Sequence, residues 1–397
     1  MRFPEFVHSW YKHSLGDIST FYKGKGLSKS SIITNGKFSC IHYGELFTEY
    51  TEVIRKIKSK TNERDGFLSK ENDVLMPMSD VTPNGLAKAS CIKINDVLLG
   101  GDILIIRTKK SNIYGEFLSR YLRFKKRDIL RIVSGITVFH LSLNSLSKLL
   151  LFIPTLPEQK RVADCLSSLD ELIEATTKKV GMLKEHKKGL MQRLFPVEGK
   201  NVPDLRFPEF QRTQVWEDAI LGTVADYENG KAHENEIDED GDFIVVNSKF
   251  ISTDGEVIKR TNTPYCLADK EDILMVLSDV PNGRAIAKCF FVDESGKYTV
   301  NQRICRLRSK SINSKFLFYL INRNPYFLSF DDGVKQTNLK KSEVLECPLM
   351  IPSSPIEQQK IVDLLSSIDD LIIATEQRIK SLEKHKKGLM QQLFPKI

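Results

Sequence analysis

Residues 158–196 read EQKRVADCLSSLDELIEATTKKVGMLKEHKKGLMQRLFP, and residues 357–395 read EQQKIVDLLSSIDDLIIATEQRIKSLEKHKKGLMQQLFP. At a constant offset of 199, 22 of the 39 positions are identical. A repeat this long with a wide gap between copies is neither a solenoid nor low complexity. It divides the chain into two similar halves, each a larger unit followed by a long helix. Two like halves suggest pseudo-twofold organisation, and a split site on duplex DNA is the natural target of a twofold reader.

Both stretches are specified as helices at each end. Thr155 with Glu158 and Ser354 with Glu357 fit a capping box. Phe195-Pro196 and Phe394-Pro395 stop the ladder. An apolar stripe runs Val162, Leu166, Leu169, Ile173, Thr176, Val180, Leu183, Lys187, Leu190, Leu194. Its counterpart runs Ile361, Leu365, Ile368, Ile372, Thr375, Ile379, Leu382, Lys386, Leu389, Leu393. Steps of 4, 3, 4, 3 average 3.5, the spacing of a coiled-coil seam. The polar interruptions, Thr176/Thr375 and Lys187/Lys386, are of the kind that fixes register. An antiparallel pairing of the two stripes is expected, a rod of roughly 54 Å for about 36 residues. Packing of each helix on its own unit, or a coil between chains, are the alternatives. Gly189 and Gly388 imply either that the helices end early or that a second protein approaches closely there. His186 and His385 lie in lysine-rich last turns, where cations suit the helix dipole.

A chain of 397 residues holds two or three domains, and 41% hydrophobic with 28% charged residues is a globular composition. No apolar run is long enough for a membrane span, and the first 30 residues lack a signal-peptide pattern. The seven cysteines are scattered without a C-x-x-C pair, which fits reduced thiols. Net charge is +8 but uneven. Residues 1–150 hold 24 Lys/Arg against 14 Asp/Glu, a net of +10; residues 200–350 hold 20 against 24, a net of −4. The basic first unit is the footprint of a polyanion binder. The acid of the second is concentrated at 234–242 (ENEIDEDGD), read as a solvated loop.

The repeat continues outside the helices. Arg2-Phe3-Pro4-Glu5-Phe6 returns as Arg206-Phe207-Pro208-Glu209-Phe210, and Trp10 as Trp216. Ser79-Asp80-Val81-Thr82-Pro83-Asn84-Gly85 returns as Ser278-Asp279-Val280-Pro281-Asn282-Gly283. Residues 102–106 and 243–246 read as strands by β-branched content, and 114–127 and 314–328 as short amphipathic helices. Each unit is therefore expected to be α/β, the two separated by an antiparallel coiled coil of the two long helices.

Chemistry is hard to find. The sequence holds no P-loop, H-E-x-x-H, G-x-S-x-G or EF-hand pattern. Asn324-Pro325-Tyr326-Phe327 misses the amino-methyltransferase motif by one proline and reads as a helix terminus. A binding protein is favoured over an enzyme, with no catalytic and no metal residues. Candidate DNA contacts are Lys23, Lys25 and Lys29 in a glycine-bearing loop, Arg107, Lys109 and Lys110 after a strand, then Lys231, Arg284, Gln302 and Arg303 beside turns of the second unit.

The helices open on Ile153-Pro154 with Pro157-Glu158-Gln159 and on Ile351-Pro352 with Glu357-Gln358. They carry Leu169-Asp170 with Leu172-Ile173, and close on Lys187-Lys188-Gly189-Leu190-Met191-Gln192 and Lys386-Lys387-Gly388-Leu389-Met390-Gln391. With the Arg-Phe-Pro-Glu-Phe motif, this pattern resembles the specificity subunit of type I restriction–modification systems over essentially the whole chain. The resemblance implies a non-catalytic, cytoplasmic, bacterial or archaeal subunit. Its divisions would be a target recognition domain at 1–154, a spacer helix at 155–196, a linker at 197–203, a second target recognition domain at 204–353 and a spacer helix at 354–397. Each domain would read one half of a bipartite DNA site, and the helix pair would set the gap. Two methyltransferase subunits and restriction subunits would be partners, supplying S-adenosylmethionine, ATP and Mg sites, with no cofactor in this chain. The rival reading is a single-chain DNA methyltransferase or nickase with an unrecognised active site.

Overall fold

The computed structural model describes residues 2–109, 111–197, 199–281 and 283–395. Two compact units divide the chain inside its long helices: residues 1–178 with 376–397, and residues 179–375. The helices, Leu156–Leu194 and Pro355–Leu393, are each 39 residues long. They run unbroken through Gly189 and Gly388, so early termination is not what these glycines signal. A Cβ at either position would meet nothing within 4 Å. Glycine costs about 1 kcal/mol in a helix, but Leu194 and Leu393 in the following turn are anchored in hydrophobic cores, which offsets it.

In the first unit, a five-stranded sheet runs in the order Ser19–Lys23, Ile103–Thr108, Val74–Pro77, Ser90–Ile92, Val53–Ile54. A second sheet runs Ile32–Ile33, Ser59–Thr61, Phe38–Ile41, Leu98–Leu99, Phe67–Leu68. Strand Tyr11–Ser14 pairs antiparallel with Leu150–Ile153, which leads straight into the long helix. The second unit repeats the plan with four-stranded sheets: Ala225–Asn229, Ile304–Ser309, Ile273–Val276, Cys289–Phe291, and Arg260–Thr261, Phe243–Val246, Tyr298–Val300, Leu267–Ala268. The expected helix over 114–127 is Gly115–Phe124, broken at Lys125 and followed by Lys126–Leu130. That over 314–328 is Ser314–Ile321 followed by Pro325–Leu328.

Within each unit the helix segments are antiparallel. In the first, Val162, Ala163 and Leu166 share a core with Leu393 and Phe394, and Tyr121 stacks on Phe394 at 4.8 Å. In the second, Ile361, Val362 and Leu365 share a core with Leu194, Leu190 and Met191. These same turns also pack on the globular residues that precede them, so the helix start is held by its own unit as well as by its partner helix. The stripe positions Val162, Leu166, Thr176, Val180 and Leu194 are buried, and Leu169, Ile173, Leu183, Lys187 and Leu190 half-buried. Ile361, Leu365, Ile368, Ile372, Thr375 and Leu393 are likewise buried, and Ile379, Leu382, Lys386 and Leu389 half-buried. Both threonines satisfy their hydroxyls locally, donating to the carbonyls of Leu172 and Leu371 at 2.6 Å.

Neither seam lysine is left bare. Lys187 Nζ reaches both carboxylate oxygens of Asp369 at 2.6 and 2.7 Å and lies 4.9 Å over the Tyr319 ring, whose hydroxyl donates to the same carboxylate at 2.8 Å. In the first unit Lys386 Nζ meets Asp170 at 2.5 Å and Glu52 at 2.9 Å. Burial pushes the Glu52 carboxyl up, but Arg123 and Lys386 outweigh it and hold it down at about 2.

The capping-box expectation is corrected at its glutamates. Glu158 accepts from Arg2 at 2.7 Å twice and from Trp10 Nε1 at 3.0 Å. Glu357 accepts from Arg206 at 2.7 and 2.8 Å and from Trp216 Nε1 at 3.3 Å. A guanidinium fork binds a carboxylate more strongly than one backbone N–H does, so the tertiary partner takes the side chain. The neighbouring glutamine is equally committed: Gln159 accepts from the Tyr114 amide at 2.8 Å, and Gln358 from the Asn313 amide at 2.9 Å.

Candidate nucleic-acid interface

Both units present a lysine at the same place in the fold. In the first, strand Ser19–Lys23 leaves its sheet at Gly24, whose N–H donates to Ile103 O at 2.8 Å, while Lys25 N donates to Leu99 O at 3.1 Å. In the second, Gly230 N donates to Ile304 O at 2.9 Å and Lys231 N to Val300 O at 3.0 Å. A Cβ on Gly24 would lie 1.9 Å from Gly100 O, and on Gly230 2.1 Å from Asn301 O. Only glycine lets the chain pass that close, so the turn, and with it the lysine, is fixed by backbone. Lys25 and Lys231 are both exposed.

The surrounding candidates of the first unit are loosely held. Lys25 pairs with Asp65 at 2.6 Å and Lys23 with Asp102 at 3.4 Å, all four well exposed. Such pairs contribute roughly 0–1 kcal/mol, so a phosphate can replace the carboxylate. Lys29 stands exposed on the short turn Lys29–Ser31.

The second unit differs in what lies beside its lysine. His233 is fully buried, with Nδ1 2.7 Å from Lys231 O and Nε2 3.1 Å from Thr299 Oγ1. It pins the start of the acidic run 234–242. Gln302 Nε2 donates to Glu234 at 2.9 Å. Lys231, Glu234, Asn235, Glu236 and Tyr265 line a shallow pocket there. Lys231 and Gln302 thus lie beside carboxylates, and Arg284 and Arg303 are likewise exposed.

Arg107 is placed differently from a phosphate contact. It forks onto buried Asp73 at 2.8 and 2.7 Å and lies 5.2 Å over both the Tyr22 and Phe67 rings. Arg308 repeats this on Asp272 at 2.7 and 2.8 Å. The pair braces neighbouring strands, and desolvating Asp73 without it would be costly. Lys109 Nζ donates to Gly16 O at 2.7 Å, while Lys110 lies outside the described residues. Lys126, Arg127 and Arg131 are not among the sequence candidates: the expected helix over 114–127 took in the first two, and Arg131 lies beyond it. The break at Lys125 leaves all three exposed, and the charge run itself was the available signal.

Asn324 of the near-miss motif is a helix cap, its side chain accepting from Tyr326 N at 2.9 Å. All seven cysteines are free and six are buried. Burial pushes the Cys91 thiol up to about 12, away from thiolate chemistry. Among the described residues no group of three His, Cys, Asp or Glu is placed to hold a metal, and no helix is long and apolar enough to cross a membrane.

Comparison with known proteins agrees with this two-unit plan. The chain is 24% identical over 423 aligned residues to the type I restriction enzyme MjaVIII specificity subunit of Methanocaldococcus jannaschii, covering 99% of this chain and 93% of the relative. Its fold is similar to the S subunit of the type I restriction-modification system from M. genitalium, with TM-score 0.63, 16% identity and coverage of 100% and 99%. A structure reported for complex assembly and conformational transition of the type I R-M system matches with TM-score 0.57, 15% identity and 98% of each chain. The type I restriction modification DNA specificity domain matches twice, at residues 8–184 and 214–384, so each unit with its helix is one copy, and the chain belongs to that family.

Proposed function

We propose that this chain is the DNA-recognition subunit of a type I restriction–modification complex and carries no catalysis of its own. Each unit reads one half of a bipartite site, and the two long helices set the gap between the halves. Exposed helix positions dock two methyltransferase subunits, which bring S-adenosylmethionine, and restriction subunits bring ATP and Mg chemistry. The observation that carries the reading is the recurrence of one backbone device, Gly24-Lys25 and Gly230-Lys231, on two units whose surroundings differ in charge. A common frame with unlike surfaces is what reading two unlike half-sequences needs. The test is to mix purified chain, alone or with methyltransferase subunits that assemble with it, with S-adenosylmethionine and DNA. Methylation only in the mixture, at a two-part site, is expected; methylation by the chain alone would overturn the assignment.

A further inference from the structure

The first unit exposes aliphatic side chains in one place. Ile136 is 94% exposed, Val81 72% and Val138 43%. Their adjacency follows from register. In the three-stranded sheet, Phe139 pairs with Asp80 and His140 with Ser79, so Val138 and Val81 each adjoin the last pair of that ladder, at the same end of it. Gly135, paired with Phe139, has φ +131°, and a Cβ there would lie 2.1 Å from Val138 O. The hairpin that carries Ile136 at its tip is therefore a tight, built turn.

Cations lie on the elements that flank this hairpin. Arg131 precedes strand Val133–Gly135, and the helix Lys126–Leu130 packs on the short turn Pro83–Ala87 that follows Val81. Lys126 and Arg127 are exposed without an ion pair among the described residues, and Arg131 reaches only Asp128, at 3.6 Å. Leaving three large aliphatics in water forgoes on the order of 1 kcal/mol each until something covers them. The cations beside them suit a polyanion, and aliphatic wedges flanked by cations are how many proteins open a base step. The second unit repeats the apolar part, Val280 at 64% and Val334 at 76% exposed, but there Asp331 and Asp332 stand just before Val334 and the corresponding sheet has only two strands. The inference is confined to the first unit.

We propose that Ile136 and Val138, with Val81, form a wedge that enters a base step of the bound duplex while Lys126, Arg127 and Arg131 hold the adjoining phosphates. This rests on the DNA-recognition reading above. The test uses the chain assembled with its methyltransferase subunits and a duplex of its mapped site, with 2-aminopurine moved through non-target positions of the first half and its flank. One non-target step should brighten on binding. Ile136→Ser with Val138→Thr should abolish that signal and weaken binding about tenfold, roughly 1.4 kcal/mol, with the salt dependence unchanged. Lys126→Gln, Arg127→Gln and Arg131→Gln together should lower the slope of log K against log salt by about 2.7 while the bound duplex still brightens. The wedge is refuted if no non-target step brightens, or if the aliphatic variant behaves as the unsubstituted complex. It is also refuted if that variant loses its methyltransferase subunits, since a protein would then cover the tip. Failure of the unsubstituted complex to bind any duplex would instead sink the DNA-recognition reading.

Discussion

Arg206 and Glu357, 151 residues apart in sequence, are joined by two hydrogen bonds of 2.7 and 2.8 Å, with side chains only 6% and 1% exposed. Arg2 and Glu158 repeat the pair at 2.7 Å, with Arg2 33% exposed. The Arg-Phe-Pro-Glu-Phe motif is thereby a clamp that ties the chain entering each unit to the first turn of the helix leaving it. Arg206→Ala strands a buried carboxylate and should cost about 3–5 kcal/mol; Arg2→Ala, where water reaches the site, should cost less. Urea unfolding followed by Trp216 emission in a Trp10→Phe background checks the first, and an unshifted midpoint would contradict the clamp.

Acid should loosen the first unit through Glu52. Its carboxyl is held down at about 2 from an ordinary 4.5, so the folded state binds the proton later than the unfolded chain. The stabilisation is complete above pH 4.5 and is lost as pH falls toward 2, roughly 3 kcal/mol. Glu52→Gln should flatten the acid limb of a stability–pH curve over that window, and an unchanged limb would place the acid sensitivity elsewhere.

Lys187 and Asp369 should be coupled. Lys187→Met leaves the half-buried Asp369 with only the Tyr319 hydroxyl, whereas Lys187→Met with Asp369→Leu leaves nothing unpaired. The double variant should be more stable than the sum of the single costs implies, by about 1 kcal/mol or more. A double-mutant cycle by thermal unfolding measures this; strict additivity would deny the contact. Leu166→Asp and Leu365→Asp, at fully buried seam positions, should each cost several kcal/mol.

Inserting seven residues between 178 and 179 and between 377 and 378 keeps the 3.5-residue seam in phase. It adds about 10 Å of helix, roughly three base pairs. Methylation mapping of the assembled complex should show the central gap lengthened and both half-sequences intact. Altered half-sequences would refute the spacing role.

Lys25→Gln and Lys231→Gln should each lower the salt slope of DNA binding by about 0.9. The loss of affinity should be larger for Lys25, since Lys231 shares its pocket with Glu234 and Glu236. Equal slopes in variant and unsubstituted complexes would remove these lysines from the interface.

Periodicity, proline and the internal repeat made much of this protein legible from its residues. The duplication announced two units of one plan, the 3.5-residue stripe announced which helix positions are covered, and the prolines announced where the helices stop. All of these are local, so neighbours in sequence suffice to state them. The partners of Glu158, Glu357, Lys187, Lys386 and Arg107 were decided only in three dimensions. A capping box and a guanidinium fork compete for the same carboxylate, and the winner depends on an arginine more than 150 residues away. A seam lysine reads as an interruption until the facing helix supplies an aspartate. Charge complementarity across long chain separations leaves no period in the sequence, and so tertiary structure alone settles which cations brace the fold.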